Sequence, residues 1–521
     1  MRDQEVKKLF CVSCVFSKLQ AYKPSSSGEY CILSSGIFRP IIQVMPYYRT
    51  TVQVAHVWLP PCPMPYTVAF AALVVISCDA FVPLPLQLLS HPQTSSYGYH
   101  HRQSSRQHVV SVVTGDGSTS QQLRRIITDD VLPRMISFFS LDMVDSSTNR
   151  FYYLCRPPTG EHEHRHMPIR DLAAAWDATK ALLFLEKNDA ISDQGDYYWN
   201  DAAEIRQRLR EAVHATLEAY HPLVPTEDGA GTGCDGPSSE LTLDSNNTLK
   251  ETANIAHSAL LLMTTLNAHR LSILPNFDAN ATIRGLVKGI LSRQRPDGAF
   301  RIEFDGPNKS DVYKGIDFFP GEAMLALMEA YDLSESGGHP CILDESARES
   351  IVSSLERGYM FYRDYCYEEK PDVNFNIFQV VSFSRFYDVL ERQKRSDQAT
   401  FVAHHVLQMC RDIVNSRAWK ELKQGQKFYP NLNTVEIVCG LDALAEGIRV
   451  ATAIDDGDTA ALLNRNAMNA VYFVEWSQSQ VSKCSPRGYG GLGFGGVQVL
   501  EQRLDITGHA LSALVKLCRV L

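Results

Sequence analysis

A helix start that keeps returning constrains this chain more than any other feature. Four stretches open with a short loop and one or two polar residues, then run into a helix crowded with small side chains. They are Asn254-Ile-Ala-His257-Ser-Ala-Leu-Leu-Leu, Phe319-Pro-Gly-Glu322-Ala-Met-Leu-Ala-Leu, Thr434-Val-Glu436-Ile-Val-Cys-Gly-Leu-Asp-Ala-Leu and Asp505-Ile-Thr-Gly-His509-Ala-Leu-Ser-Ala-Leu. The rhythm is uneven, with intervals of roughly 55 to 80 residues. Glycine and alanine allow helix backbones to approach closely, and the polar residues of each first turn lie beside free backbone N–H groups and the positive end of the helix dipole. Helices arranged in a closed ring would therefore gather a site at one mouth.

Between these starts the pattern alternates. Candidate outer helices run over Gln121–Leu141, Asp201–Tyr220, Ala279–Arg293, Asp344–Tyr365, Asp397–Ser416 and Asp458–Trp476, with charge on one face, as in Glu204-Ile-Arg-Gln-Arg-Leu-Arg-Glu211. That is how a solvent-facing amphipathic helix reads. Candidate inner helices run over Ile169–Leu185, Thr252–Ala268, Pro320–Leu333, Asn374–Leu390, Asn433–Thr452 and Leu504–Leu521; they are poorer in charge, and apolar residues spill over more than one face. Pro320, Asn433 and Asp505 are suitable start signals. Long loops rich in glycine and aromatics join the partners, notably Gln294-Arg-Pro-Asp297-Gly-Ala-Phe300 through Phe319 and Gly488-Tyr-Gly-Gly-Leu-Gly-Phe-Gly-Gly496. Loops of that length are uncommon in a compact domain unless they carry function. Residues 226–245, rich in Gly, Ser, Asp and Glu, read as a flexible insertion.

Composition removes several classes. The net charge of −9 and the lack of any basic, aromatic-interleaved stretch argue against a nucleic-acid surface. No apolar run reaches the roughly 18 to 20 residues that span a bilayer. The 13 cysteines are scattered apart from Cys11-Val-Ser-Cys14, so no metal or cofactor is expected. His162-Glu-His164-Arg-His166 would put alternating imidazoles on one face if extended, yet it sits in a Pro- and charge-rich connection and reads as a solvated loop.

The first 120 residues look like an address. Met64-Pro-Tyr-Thr-Val-Ala-Phe-Ala-Ala-Leu-Val-Val-Ile-Ser-Cys78-Asp-Ala80 is an apolar core of signal-peptide length ending in small residues, and residues 83–113 contain no acidic side chain but abundant Ser, Gln, His and Arg. The Ala80-Phe81-Val-Pro83 junction resembles the bipartite plastid presequence of algae with secondary plastids, which implies passage through the secretory route into a plastid. A plain secretory signal and a buried apolar strand are the alternatives. On this reading residues 1–63 stand outside the mature fold, 64–80 are signal-like, 81–120 are transit-like or linker, and one domain runs from 121 to 521. Sequons at Asn246, Asn280 and Asn308 fit passage through the endoplasmic reticulum.

Paired helices, small-residue inner helices and the Gln294…Pro-Asp-Gly-Ala-Phe300 turn resemble the (α/α)6 toroids of the six-hairpin glycosidase superfamily. The resemblance is one of layout, over roughly residues 121–521. It implies an all-α toroid of six helical hairpins whose inner-helix N-termini and loops line a funnel for a sugar chain, with one or two carboxylates as acid and base. The expected activity is glycoside hydrolysis, with elimination or epimerisation as variants; the expected partner is a carbohydrate, and the oligomeric state is open.

Hydrolysis needs a proton donor near the leaving oxygen and a second carboxylate. Glu322, at an inner-helix start, is the first choice for the acid, with Asp317 in its loop and Glu436 and Asp505 at other inner-helix starts as further catalytic candidates. Asn254, His257, Tyr313, Gln379, His509 and Tyr489 are candidates for substrate binding. Each has a plainer account, because acidic first-turn residues cap helices and histidines among apolar neighbours belong to cores. The coincidence of several polar inner-helix starts carries the expectation. A non-catalytic glycan binder or a helical-repeat scaffold is the alternative, although repeat arrays keep a fixed period and short turns. Terpenoid cyclases share toroidal folds, but Asp455-Asp-Gly-Asp458 lacks the spacing of their acid motif; zinc toroids of the lanthionine-cyclase kind need a Cys-His pair that is absent.

Overall fold

The computed structural model describes residues 52–54, 74–76, 117–164, 167–188, 202–220, 254–275, 278–302, 315–335, 342–369, 371–484, 490–493 and 501–521. Two compact units are present, Met1–Gln107 and His108–Leu521. In the first, β1 (Val52–Val54) and β2 (Val74–Ile76) pair antiparallel, so part of the expected signal-like segment is a short strand. The remainder of the expected targeting region up to residue 116, and the insertion at 226–245, lie outside the described residues.

Among its described residues the second unit is all-α apart from one small sheet. Its first helical run is α1 (Gly117–Ile126), a π turn (Ile127–Val131), α2 (Leu132–Ser137) and a second π turn (Phe138–Asp142). After β3 (Leu154–Arg156) and β4 (Glu161–Glu163) come α3 (Pro168–Lys187), α4 (Ala202–Tyr220), α5 (Ile255–Arg270), α6 (Ala279–Ser292), α7 (Phe319–Glu335) and α8 (Glu345–Glu369). The chain continues through α9 (Val373–Arg392), α10 (Ser396–Val414), the short α11 (Arg417–Leu422), α12 (Thr434–Ala453), α13 (Gly457–Cys484), β5 (Gln502–Arg503) and α14 (Leu504–Val520). No described helix is long and apolar enough to cross a membrane.

Burial separates the helices into two sets, as their charge pattern predicts. Every residue of α5 from Ile255 to Ala268 is buried, whereas α8 and α10 keep one polar face in solvent. Among the described residues, α3 packs on α5, α5 on α7, α7 on α9, α9 on α12, α12 on α14, and α14 returns to α3. The amphipathic helices lie against these from outside: α4 on α3, α6 on α5, α8 on α7, α10 on α9 and α13 on α12. Consecutive inner helices are each separated by one reversal of chain direction out and one back, which sets their N-termini at the same end.

Two glutamine clamps tie outer helices together. Gln294 Nε2 donates to the carbonyls of Gly298, at 3.0 Å, and of Ser354 in α8, at 2.7 Å. Gln478 in α13 does the same to Gly490, at 3.0 Å, and to Val131 in the first helical run, at 3.3 Å. In both, the glycine has a positive φ, +99° at Gly298 and +130° at Gly490. A Cβ would collide with a backbone carbonyl three residues beyond the second acceptor, Arg357 in one clamp and Arg134 in the other. The same device thus joins the third outer helix to the fourth and the last to the first. Gly298→Ala and Gly490→Ala are each expected to cost about 3 kcal/mol through backbone strain and collision, read as a lowered denaturant midpoint.

The small sheet, order β4-β3-β5, closes the same seam. Cys155 pairs with Gln502 and Leu154 with Arg503, so the strand ahead of α3 is hydrogen-bonded to the strand that leads into α14. Nothing in the amphipathic pattern announces strands so short.

Candidate functional site

The inner helices bring their first turns together. Arg170 in α3 is hydrogen-bonded to Asp505 in α14. The Phe318 ring, just ahead of α7, meets Phe378 of α9 edge-on with centroids 5.1 Å apart, and Phe378 meets the His509 ring of α14 at 6.3 Å. Helix α9 approaches α7 at Gly321, where any side chain would press on the Phe378 carbonyl and the Gln379 amide.

Below that level a periodicity defines an inner surface. In the bodies of otherwise buried helices, partial exposure falls on Ala173 and Lys180, on Glu322 and Glu329, on Phe378 and Arg385, on Val435, Asp442 and Arg449, and on His509 and Lys516. Steps of seven residues are close to two helical turns, so each set is a stripe down one face. The upper rung holds Glu322, Phe378 and His509; the lower rung is Lys180, Glu329, Arg385, Asp442 and Lys516 and is charged throughout.

Glu322 is the most perturbed acid of the upper rung. Burial lifts its carboxyl to about 8, against the opposing charges of Arg170 and Lys180. Its Oε2 is buried with no hydrogen-bond partner among the described residues. At neutral pH this side chain is a carboxylic acid holding a proton. Asp505 is the converse. It is buried, yet Arg503 grips both its oxygens at 3.0 and 2.6 Å and Arg170 adds a further bond, so its pKa is lowered in spite of burial.

The buried thiol of Cys439 is pushed well above its usual range, first by burial and then by the carboxyls of Asp442, Asp505, Asp177 and Glu322, whose electrostatic reach extends to it. Those four carboxyls come from α12, α14, α3 and α7. Glu436 and Asp317 share a different acidic neighbour. Glu436 accepts from Ser416 Oγ at 3.2 Å, and its pKa is raised by burial and by Asp372 and Glu421. Asp317 is raised by burial and by the same Asp372, the N-cap of α9. Both are thus within electrostatic reach of Asp372 at the start of α9.

The expected binding residues divide similarly. Asn254 is the N-cap of α5: its side chain accepts from Ala256 N at 3.0 Å and His257 N at 3.3 Å, while His257 Nδ1 accepts from Asn254 N at 3.0 Å. That reciprocal box fixes the histidine tautomer with its hydrogen on Nε2, and burial lowers its pKa to about 4, so the ring is neutral. His257 Nε2 and both amide atoms of Gln379 are buried without hydrogen-bond partners among the described residues. His509 is half-buried beside Phe378. Tyr313 and Tyr489 lie outside the described residues.

Three groups escaped the sequence reading. Lys180 Nζ donates to Asp177 Oδ1 at 3.1 Å and to Ser512 Oγ at 2.8 Å, and it stands 3.0 Å over the Trp176 ring. Burial lowers the Lys180 pKa. The signal was present as Trp176-Asp177-Ala-Thr-Lys180, three polar or amphipathic side chains on one face of an apolar helix. As to metals, the described residues include no group of three or more His, Cys, Asp or Glu arranged to hold one. His162 and His164 instead flank the Tyr152 ring, with His164 Nε2 3.1 Å from Asp145 Oδ2. No protein-family model matches this chain, and no curated protein shows significant similarity to it.

Proposed function

We propose that the second unit is an (α/α)6 toroid of six helical hairpins acting on a carbohydrate as a glycoside-hydrolase-like enzyme. Glu322 is the proton donor, and Asp505 is the ionised carboxylate of the same basin. The observation that carries this reading is the opposed perturbation of two acids: one pushed up to about 8, the other held below its ordinary value. Environments that drive two titratable groups apart in this way supply an acid and a permanently charged partner at one pH. The cycle of inner-helix contacts that returns from α14 to α3 supports the toroidal layout. Phe318 and Phe378 supply apolar faces on which a sugar ring can stack.

The decisive experiment incubates the full chain with a panel of glycans and reads both binding and newly formed reducing ends. Release of reducing ends supports the enzyme, and such turnover should fall as pH rises through about 8, where Glu322 loses its proton. Binding without release converts the proposal to a glycan-binding protein, and neither outcome leaves only the scaffold. The same reading keeps the N-terminal segment as a plastid-directing presequence. N-terminal sequencing of the mature protein tests it, with a start beyond the transit-like stretch 81–120 expected; a start at Phe81 itself would mark a plain secretory signal instead.

A further inference from the structure

A cavity lies at the C-terminal ends of two inner helices. It measures about 480 Å³ and is bounded by the last turns of α3 and α14 and by α1 with the π turn that follows it. Four cations line it, Arg124, Arg125, Lys187 and Arg519, along with the neutral polar groups of Gln121, Thr128 and Asn188; among the described residues no acidic side chain is on its wall. None of the four cations has a hydrogen bond or ion pair with a carboxylate among the described residues. Lysine and arginine near helix C-termini are common, because they offset the negative dipole end, and that accounts for Lys187 and Arg519. Arg124 and Arg125 stand likewise in the last turn of α1. What the dipoles leave unbalanced is the sum: three helix ends contribute about −0.5 charge each, so four full positive charges leave the cavity with a surplus of roughly two to three.

Arg124 and Arg519 both act on the Cys518 thiol between them. Burial and the positive charge of Arg385 weaken Arg519's hold on its proton, against the smaller opposing pull of Glu446 and Glu329. A concave wall carrying positive charge suits an anion, and guanidinium forks match phosphate oxygens in pairs. The volume falls within the range of small-molecule sites.

We propose that this cavity binds a small phosphorylated anion carrying at least two negative charges. The inference stands apart from the glycan reading, since it uses none of the same residues. Titration calorimetry of the full chain with inorganic pyrophosphate tests it. One saturable site is expected, weakened about tenfold in Arg124→Gln and again in Arg519→Gln, and weakened overall by added salt. Arg124, Lys187 and Arg519 are exposed, so these variants keep the fold; Arg465→Gln, an exposed arginine elsewhere, is expected to bind as the parent does. Absence of a saturable site, or equal weakening in Arg465→Gln, overturns the proposal.

Discussion

Glu322→Gln is expected to reduce turnover of any responsive glycan by about 10²- to 10⁴-fold, the range over which a positioned acid contributes. The same variant should be more stable than the parent at pH 9. An unfolded Glu322 gives up its proton near 4.5, while the folded chain retains it to about 8. Across that window the folded state binds the extra proton, so stability falls as pH rises from the first value and levels off beyond the second. Each unit of difference corresponds to about 1.4 kcal/mol, and a partly solvated group delivers less than the full span, which leaves roughly 2 to 4 kcal/mol at pH 9. Glutamine has the shape of the protonated side chain and no charge to desolvate. Denaturant unfolding at pH 5 and pH 9 measures the effect: the two proteins should match at the lower pH and separate at the higher. Retained turnover would move the donor role to another residue, and a pH-independent stability difference would mean that Glu322 is ionised in the fold.

Much of this architecture was legible because two periodicities are written openly. The inner helix expected over Asn433–Thr452 is found at Thr434–Ala453, and the outer helix expected over Asp201–Tyr220 at Ala202–Tyr220. Helix-start chemistry located Glu322 and Asp505 in first turns. It could not distinguish them from Glu436, since capping and dipole effects enrich acids there whatever they face. Only the rotation of each helix about its axis decides that, and Glu436 turns toward Ser416. Asp177 and Lys180 were missed for the opposite reason: they lie in the third and fourth turns, where helix-start signals do not reach. The Gln478–Gly490 clamp was hidden by the variable length of the loop, which separates its glutamine and glycine by 12 residues where Gln294 and Gly298 are separated by 4.

Glu446→Gln should be the most damaging single substitution in the helical unit, at about 3 to 5 kcal/mol, the cost of breaking a buried ion network from one side. Glu446 is 2% exposed and lies one helical turn below Asp442, in the lower part of the inner surface. Its oxygens face Arg385 at 3.4 Å, Arg449 at 2.9 Å and Lys516 at 3.5 Å, and Ser384 Oγ donates at 3.3 Å. Burial alone would raise its pKa, but the three cations reverse that and hold it well below the usual carboxylate range. Since the folded value is depressed, its stabilisation is present above the unfolded value and is lost as pH falls toward the folded one. The difference between parent and variant should therefore be full at pH 7 and shrink below about pH 4.5. A difference that stays constant down to pH 3 would assign the damage to shape instead of charge. The cations belong to α9, α12 and α14, so one carboxylate links three consecutive inner helices. The two that flank Cys439 and Asp505, α12 and α14, are thereby fixed in rotation, and the geometry of the upper rung depends on a charge two to three turns beneath it.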